Sequence, residues 1–289
     1  MTSISNINGK DARDLELVME TLAGEPTVPN IEAAIYTAIV GYKKSSIAGH
    51  SSSFLPALRA VTRRRVGVDS DWIVQDVTGD FVRARKDYWE ASFDVAELIG
   101  HPGIGVRISV PASSGYYDAE RDAFLVNNGL FGRPIRGHEG RIYLNARPSE
   151  LVSVVSEITN LLVKRDIAFK IKCGTKIDLV DRRDNVVVYV RQEHLGWVSR
   201  VLAHHSQFHA LLRTEVPLFT RQIASGIAVA ESPNEGVSFC QFLAREIGAA
   251  LTKTGVAESQ AVQDQLLANG LHIGQLYRSA GSKTYYWFD

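Results

Sequence analysis

The chain has 289 residues, of which 45% are hydrophobic and 22% charged, and its 32 basic side chains balance 32 acidic ones. This composition is typical of a globular protein, and no apolar run approaches the roughly 20 residues of a membrane span, which excludes membrane and largely disordered proteins. Zero net charge argues against a general nucleic-acid binder. The first residues lack the apolar segment of a secretory signal, and two cysteines cannot form a disulfide framework. We therefore expect a cytoplasmic protein that binds neither nucleic acid nor membrane.

The first third of the chain has a helical pattern. In residues 11–62 apolar side chains such as Leu15, Val18 and Leu22 recur at helical spacing, which predicts at least two helices. Residues 100–140 are rich in Gly, Pro, Ser and Asn, which predicts loops with one short strand at 106–110. We expect a helical N-terminal region at 1–95 and an α+β core at 96–289, either as two units or as one continuous domain.

The pattern becomes more regular after residue 140. Residues 141–147 alternate in polarity as a strand does, and apolar residues of 151–162 recur at helical spacing. Further strands are predicted at 167–173 and 186–192, on either side of a turn at 181–185. Helices are predicted at about 195–212, 238–251 and 256–268. This order predicts an α+β fold, in which helices pack on a mixed or antiparallel sheet and form the N-terminal and C-terminal parts.

Polar side chains of the three predicted strands share a face, because residues two apart on a strand point to the same side. Strand by strand they are Arg141, Tyr143, Asn145 and Arg147; Lys170 and Lys172; Tyr189 and Arg191. If the strands are neighbours, one sheet face carries several cations and two phenols but few carboxylates. An ordinary solvated sheet face is the alternative, yet such a face usually mixes charges. We therefore favour a cationic face that binds a phosphorylated or carboxylated ligand.

Motifs for common cofactors are missing from the sequence. There is no GxxxxGK[ST] of a P-loop, and GIG at 103–105 lacks the third glycine of a dinucleotide fingerprint. There is also no GxSxG elbow for an acyl-transfer serine. His205 and His209 have a spacing that can bind metal, but neither an HExxH glutamate nor a nearby third ligand accompanies them. We expect a site that uses neither cofactor nor metal.

Several segments resemble a known family. GRIYLNARP, FKIK and RRDNVVVYV resemble the HopA-type domain, which occurs in bacterial type III effectors and as the lyase component of class V lanthipeptide and related ribosomal-peptide biosynthesis. VPLFTRQIASGIAVAESP and SFCQFLAREIGAAL are similar to the carboxy-terminal part of that domain. The resemblance covers about residues 100–252. It implies a distant relation to phosphothreonine lyases, which remove phosphate by β-elimination without metal or cofactor.

The resemblance also implies roles for individual residues. Lys170 matches the general base, and Tyr189 matches a tyrosine of the phosphothreonine pocket. Arg191 falls where the lyases have a lysine beside the phosphate. Either Arg182 or Arg183 matches an arginine that precedes the pocket tyrosine.

Two motifs depart from the family pattern. The first strand usually carries Lys-x-His, in which the histidine is the acid for the departing phosphate, whereas this chain has Arg-Ile-Tyr at 141–143. We take Tyr143 as the first candidate for the acid, His138 as the second and His101 as the third. The usual SFG motif is SFC here, with Cys240 in place of the glycine.

These residues together give a mechanistic hypothesis. Arg141, Arg182 and Arg191 would hold the phosphate oxygens. Lys172 and the arginines would favour the neutral form that Lys170 needs as a base, because like charges repel.

The predicted function is a phosphoserine or phosphothreonine lyase that converts a phosphorylated precursor peptide to its dehydroalanine or dehydrobutyrine form. A separate aminoglycoside-phosphotransferase-like kinase would phosphorylate the peptide, since the chain has no ATP-binding motif. Candidate docking surfaces for the kinase are the N-terminal helices with Arg63–Arg65 and the apolar-aromatic tail at 284–289. The alternative for the tail is that it packs into the protein's own core. A non-catalytic module that binds a phosphopeptide or leader peptide is one alternative. A type III effector-like virulence protein is another, although residues 11–40 look helical rather than disordered.

Overall fold

A computed structural model gives the architecture of the chain. It describes residues 9–23, 31–41, 54–62, 68–86, 89–111, 115–118, 123–127, 139–165, 167–175, 181–231, 238–254, 259–268, 275–278 and 282. The helices are α1 (Gly9–Ala23), α2 (Ile31–Val40), α3 (Leu55–Thr62), α4 (Leu151–Lys164), α5 (Gln192–Ala203), α6 (Ser206–His209), α7 (Phe239–Thr254) and α8 (Ser259–Ala268). None of the helices in these segments is both long and apolar enough to cross a bilayer.

The strands form two antiparallel sheets. The first has four strands in the order β3-β2-β1-β4, and the second has seven in the order β10-β11-β7-β9-β8-β6-β5. The first sheet contains β1 (Val68–Thr78), β2 (Phe81–Lys86), β3 (Trp89–Asp94) and β4 (Arg107–Pro111). The second contains β5 (Gly115–Asp118), β6 (Ala123–Asn127), β7 (Glu139–Leu144), β8 (Phe169–Gly174), β9 (Val186–Arg191), β10 (Arg221–Ala224) and β11 (Ile227–Glu231). The predicted α+β class is confirmed, and the sheets are antiparallel rather than mixed.

The four-stranded sheet corrects the expectation of a helical region up to residue 95. Helices end at Thr62, and the following strands alternate buried and exposed side chains with period two, as Trp72, Ile73 and Val74 do. This sheet has a small hydrophobic core of its own, in which Trp72 meets Phe93 edge-on at 4.9 Å between ring centroids. Residues 100–140 are also richer in strands than predicted, since they contribute to β4, β5, β6 and β7.

The seven-stranded sheet places the three predicted polar strands side by side, in the order β7-β9-β8. One face carries the apolar residues, including Ile142, Ile171 and Val188, and these are fully buried in the main core with α4 and α5. Gly140 allows α5 to approach, because a side chain there would clash with Leu195. The predicted helix at 195–212 is interrupted, and its two parts are α5 and α6.

The polar face of the same sheet is covered rather than solvated. Arg141 is only 5% exposed and Tyr143 only 3%, because α2 and the start of α7 lie over them. The N-terminal helices share the main core through residues such as Val18 and Ile39. Asp14 of α1 also accepts a hydrogen bond of 2.7 Å from the amide of Phe219. The sheet face therefore forms the floor of a cavity that is partly open to solvent.

Candidate functional site

Two cations flank Tyr189 on the central strand β9. In the sheet register Arg141 of β7 is opposite Tyr189, which in turn is opposite Lys170 of β8. The guanidinium carbon of Arg141 lies 5.2 Å from the Tyr189 ring centroid, and the Nζ atom of Lys170 lies 5.3 Å from it. Both are cation-π distances. The ring thus stands between two positive charges that would otherwise repel each other across the sheet.

The next row of the sheet contains Tyr143, Val187 and Lys172. Burial raises the pKa of Tyr143 well above its ordinary value, and the neighbouring Cys240 adds to this, while Arg141 acts the other way. The phenol therefore stays protonated and can donate a hydrogen bond. Lys172 is half-buried at the other end of the row.

A turn before β9 supplies a third cation with its counter-charge. Arg182 donates hydrogen bonds to Asp184 from Nε at 2.8 Å and from Nη2 at 2.7 Å. Its Nη2 atom also donates to the hydroxyl of Tyr36 on α2, at 2.5 Å. Burial alone would lower the pKa of Arg182, but the charge and hydrogen bonds of Asp184 raise it above its ordinary value. Arg182 is therefore a fixed cation.

These rows and the turn line one cavity of about 100 Å³. Among the described residues its lining includes three cations, Arg141, Lys172 and Arg182; three phenols, Tyr36, Tyr143 and Tyr189; and one carboxylate, Asp184. Because Asp184 is bonded to Arg182, the remaining charge of the lining is positive. Cationic and phenolic donors around a small space suit an anion with several oxygens, such as phosphate.

Three of the predicted residues lie outside the lining of this cavity. Lys170 contacts Tyr189 without lining the cavity itself. Arg191, at the end of β9, has a side chain that is 43% exposed and lies 3.5 Å from Glu193. His101 is exposed in the segment before β4 of the other sheet.

The remaining predictions are resolved only in part. Of the two arginines in the turn, Arg182 lines the cavity, whereas the amide of Arg183 donates to the carbonyl of Val40 at 2.8 Å. His138, Arg63–Arg65 and the tail at 284–289 lie outside the described residues.

Comparison with known proteins identifies the family. A model of the HopA1 effector protein family matches residues 117–278, more than half of the 289-residue chain. The chain belongs to the HopA1 effector protein family. The matched segment contains every cavity residue named above except Tyr36.

Two solved HopA-type structures have a similar fold. One is the effector protein from Pseudomonas syringae pv. tomato strain DC3000, which has a TM-score of 0.57 and 14% identity over 93% of this chain and 97% of that one. The other is the effector protein from Pseudomonas syringae pv. syringae strain 61, with a TM-score of 0.58 and 13% identity over 94% of this chain and 98% of that one. No curated protein sequence matches this HopA1 family member.

Three of the cavity residues that were not predicted bear on its chemistry. Asp184 follows Arg182 by two positions, and that spacing was the only local signal for the pair. Tyr36 comes from an N-terminal helix far away in sequence and had no signal. Cys240, the departure from the family motif, lines the cavity, and burial together with Asp184 raises the pKa of its thiol to about 12.

The described part of the chain contains no group of three or more His, Cys, Asp or Glu side chains that could hold a metal ion. The ring nitrogens of the two histidines with metal-like spacing face backbone groups. His205 Nδ1 accepts from the amide of Phe208 at 3.2 Å, and His209 Nε2 lies 3.0 Å from the carbonyl of Leu202.

Proposed function

We propose that this HopA1 family protein is a cytoplasmic phosphoserine or phosphothreonine lyase that acts on a phosphorylated precursor peptide. The observation that carries the proposal is the cavity, in which, among the residues that the structure describes, three cations and three phenols surround a small space and the single carboxylate is bonded to Arg182. A phosphate monoester is mostly a dianion near neutral pH. It would be bound by Arg141, Lys172 and Arg182 through charge-assisted hydrogen bonds.

The proposed reaction is a β-elimination. A base takes the Cα hydrogen of the phosphorylated residue, the released electron pair forms the Cα=Cβ double bond, and the Cβ–Oγ bond breaks. The departing oxygen keeps the electrons of that bond and gains a proton from an acid, so that hydrogen phosphate leaves, while the proton from Cα remains on the base. The position of Lys170, beside the cavity rather than in it, supports its role as base, because Cα is separated from the phosphorus atom by Cβ and Oγ.

Tyr143 is the proposed donor to the departing phosphate. It lines the cavity, and its raised pKa keeps the phenol protonated. A dianionic phosphate monoester would otherwise depart as the trianion, so its leaving oxygen must gain a proton. Tyr143 would donate this proton, which gives HPO₄²⁻ and a phenolate that is reprotonated from solvent. Arg191, which lies outside the cavity, is proposed to contact the flanking peptide instead of the bound phosphate.

A single assay tests the activity. The protein is incubated with a phosphothreonine peptide, and the products are analysed by mass spectrometry. A lyase removes phosphoric acid and leaves dehydrobutyrine, whereas a phosphatase would restore threonine. The matched control is the same peptide with unphosphorylated threonine, which should not change. Binding of the phosphopeptide without any change in its mass would support the alternative of a non-catalytic binding module.

The two structural neighbours favour the second alternative, a virulence effector. Both are described as effector proteins, and they match this chain over 93% and 94% of its length. A translocation assay with a reporter fusion separates this role from a biosynthetic one. Delivery of the fusion into host cells through a type III apparatus would support an effector, and retention in the bacterium would support biosynthesis.

The proposal implies a separate kinase of the aminoglycoside-phosphotransferase type. We expect this protein alone to leave an unphosphorylated precursor unchanged, and kinase, ATP and this protein together to dehydrate its Ser or Thr residues. Transfer between two associated enzymes would keep the phosphorylated intermediate at a high effective concentration. Dehydration without the kinase would contradict this scheme.

A further inference from the structure

We propose that Tyr36, on the N-terminal helix α2, binds the phosphate directly, so that this helix completes the substrate site. The inference rests on the proposed function and adds a ligand to the same cavity. The family model matches residues 117–278, so α2 lies outside the segment that defines the family. The assignment therefore comes from the geometry alone.

The Tyr36 hydroxyl has the right partners for this role. Its oxygen accepts a hydrogen bond from Arg182 Nη2 at 2.5 Å, and its side chain lines the cavity. Within the described part of the chain the hydroxyl proton has no acceptor. Burial, and then the nearby Asp184, raise the pKa of Tyr36 above its ordinary value, so this proton is retained. The hydroxyl is thus a hydrogen-bond donor beside the cavity. Arg182, which donates to its oxygen, polarises it and strengthens it as a donor.

The backbone fixes α2 against the site. The carbonyl of Val40 at the end of α2 accepts from the amide of Arg183 at 2.8 Å, and the carbonyl of Ile39 accepts from Leu218 at 3.0 Å. The first of these bonds ties the helix to the turn that carries Arg182. Tyr36 lies one helical turn before Val40, so its distance from Arg182 is set by backbone contacts as well as by the side chains.

Arg182 alone has a reduced capacity to donate hydrogen bonds to a phosphate. Two of its donors are occupied by Asp184, so its capacity for a phosphate oxygen is reduced. The Tyr36 hydroxyl accepts a hydrogen bond from Arg182 and would donate one to the ligand. It would thus add a second hydrogen bond to the phosphate beside that of Arg182. The ligand class is a phosphorylated side chain, because its three terminal oxygens can each accept more than one hydrogen bond and so can serve the three cations and the added phenol.

Binding of a substrate analogue tests the inference. The probe is a peptide with the phosphonate analogue of phosphothreonine, in which a methylene group replaces the bridging oxygen, so that no phosphate can leave. Affinity is measured by calorimetry for the full chain, for Tyr36→Phe and for Tyr277→Phe. Tyr277 is a matched control, since its hydroxyl accepts from Arg278 at 3.4 Å and its ring lies 5.7 Å from that guanidinium, outside the cavity lining.

We expect Tyr36→Phe to bind the analogue about ten- to a hundredfold more weakly, the loss of one hydrogen bond to a charged group, and Tyr277→Phe to bind it as the wild type does. The phenylalanine retains the ring that faces Arg182 at 5.3 Å but removes the hydroxyl that accepts from it. The unfolding temperature should therefore fall, and affinities are compared at a temperature at which every variant is folded. Equal affinity of Tyr36→Phe and wild type would overturn the inference and leave the proposed function intact. An equal loss in both variants would also overturn it, and no binding by the wild type would overturn the proposed function as well.

A double variant checks the coupling of the two residues. If Tyr36 and Arg182 act on the same phosphate oxygens, the combined change Tyr36→Phe and Arg182→Lys should weaken binding by less than the product of the two single effects. Independent effects that multiply would contradict the shared contact.

Discussion

Asp184 accepts two parallel hydrogen bonds from Arg182, at 2.8 and 2.7 Å, in a part of the site where the Asp184 side chain is only 9% exposed. Asp184→Asn would leave a buried guanidinium without its counter-charge. We expect the free energy of unfolding to fall by about 2 kcal/mol, because hydrogen bonds to charged groups contribute on the order of 1.5 to 3 kcal/mol. Urea denaturation at neutral pH measures this change.

Asp181→Asn is the matched control for that variant. Asp181 pairs with Arg213 at 2.9 Å in the same turn, but its side chain is 45% exposed. Exposed pairs contribute at most about 1 kcal/mol. If the two variants lost the same stability, the Asp184 pair would be no more than a surface contact.

The centre of the site could be predicted because it depends on local patterns. Strands β7, β8 and β9 alternate polar and apolar residues, and that alternation places Arg141, Lys172 and Tyr189 on one face. The sequence also predicted helix α4 correctly, since its apolar stripe is regular. What the pattern could not show is which face of the sheet would be covered by another element.

The remaining features depend on contacts between distant segments. Tyr36 reaches the cavity because α2 packs over the polar face of the sheet. The sequence periodicity of α2 does not indicate which surface the helix packs against. The four-stranded sheet was missed because apolar residues such as Ile73 and Phe81 are exposed on its strands and blur the alternation. Lys172 rather than Lys170 lines the cavity because a strand face has two rows, and their positions relative to α7 are set by the tertiary fold.

Tyr143→Phe tests the donor to the departing phosphate. The wild-type phenol has a pKa well above its ordinary value because of burial, so it remains protonated throughout the range from pH 6 to 9.5. We expect kcat to fall at least about a hundredfold, the usual contribution of a general acid. The dependence of kcat on pH should keep the same shape in both proteins, because Tyr143 does not titrate in this range.

The comparison of pH profiles is the decisive part of that experiment. If wild-type activity declined on the alkaline side and the decline disappeared in Tyr143→Phe, the phenol would titrate below pH 9.5, which would contradict its raised pKa. A variant with full kcat would show that Tyr143 only closes the cavity.

Cys240 should be chemically inert although it lines the cavity. Its pKa is raised to about 12, mainly by burial, so the reactive thiolate is scarce at pH 8. Cys173 is buried as well, and its pKa is raised for the same reason. We expect neither of the two cysteines in the chain to react with Ellman's reagent at pH 8 in the native protein, and both to react in denaturant.

The same inertness protects the protein from its own product. A thiolate would add to the double bond of dehydroalanine, forming a bond between Sγ and Cβ, while Cα would take up a proton. We expect intact-mass analysis after turnover to show no such adduct. An adduct at Cys240, or fast reaction of one native thiol, would show that the cavity stabilises the thiolate.

The two lysines of β8 should have different effects, because they lie in different rows of the sheet. Lys172 lines the cavity with the arginines, whereas Lys170 lies beside it against Tyr189. Lys170→Ala should reduce kcat at least about a hundredfold, the usual contribution of a general base, and leave the affinity for the phosphopeptide nearly unchanged. Lys172→Ala should instead raise KM, because it removes a phosphate contact present before and during elimination. Steady-state kinetics and calorimetry on both variants distinguish these roles.

The opposite result would be a loss of kcat in Lys172→Ala and an unchanged kcat in Lys170→Ala. It would assign the general base to Lys172. The Cα atom of the substrate, rather than its phosphate, would then have to enter the cavity.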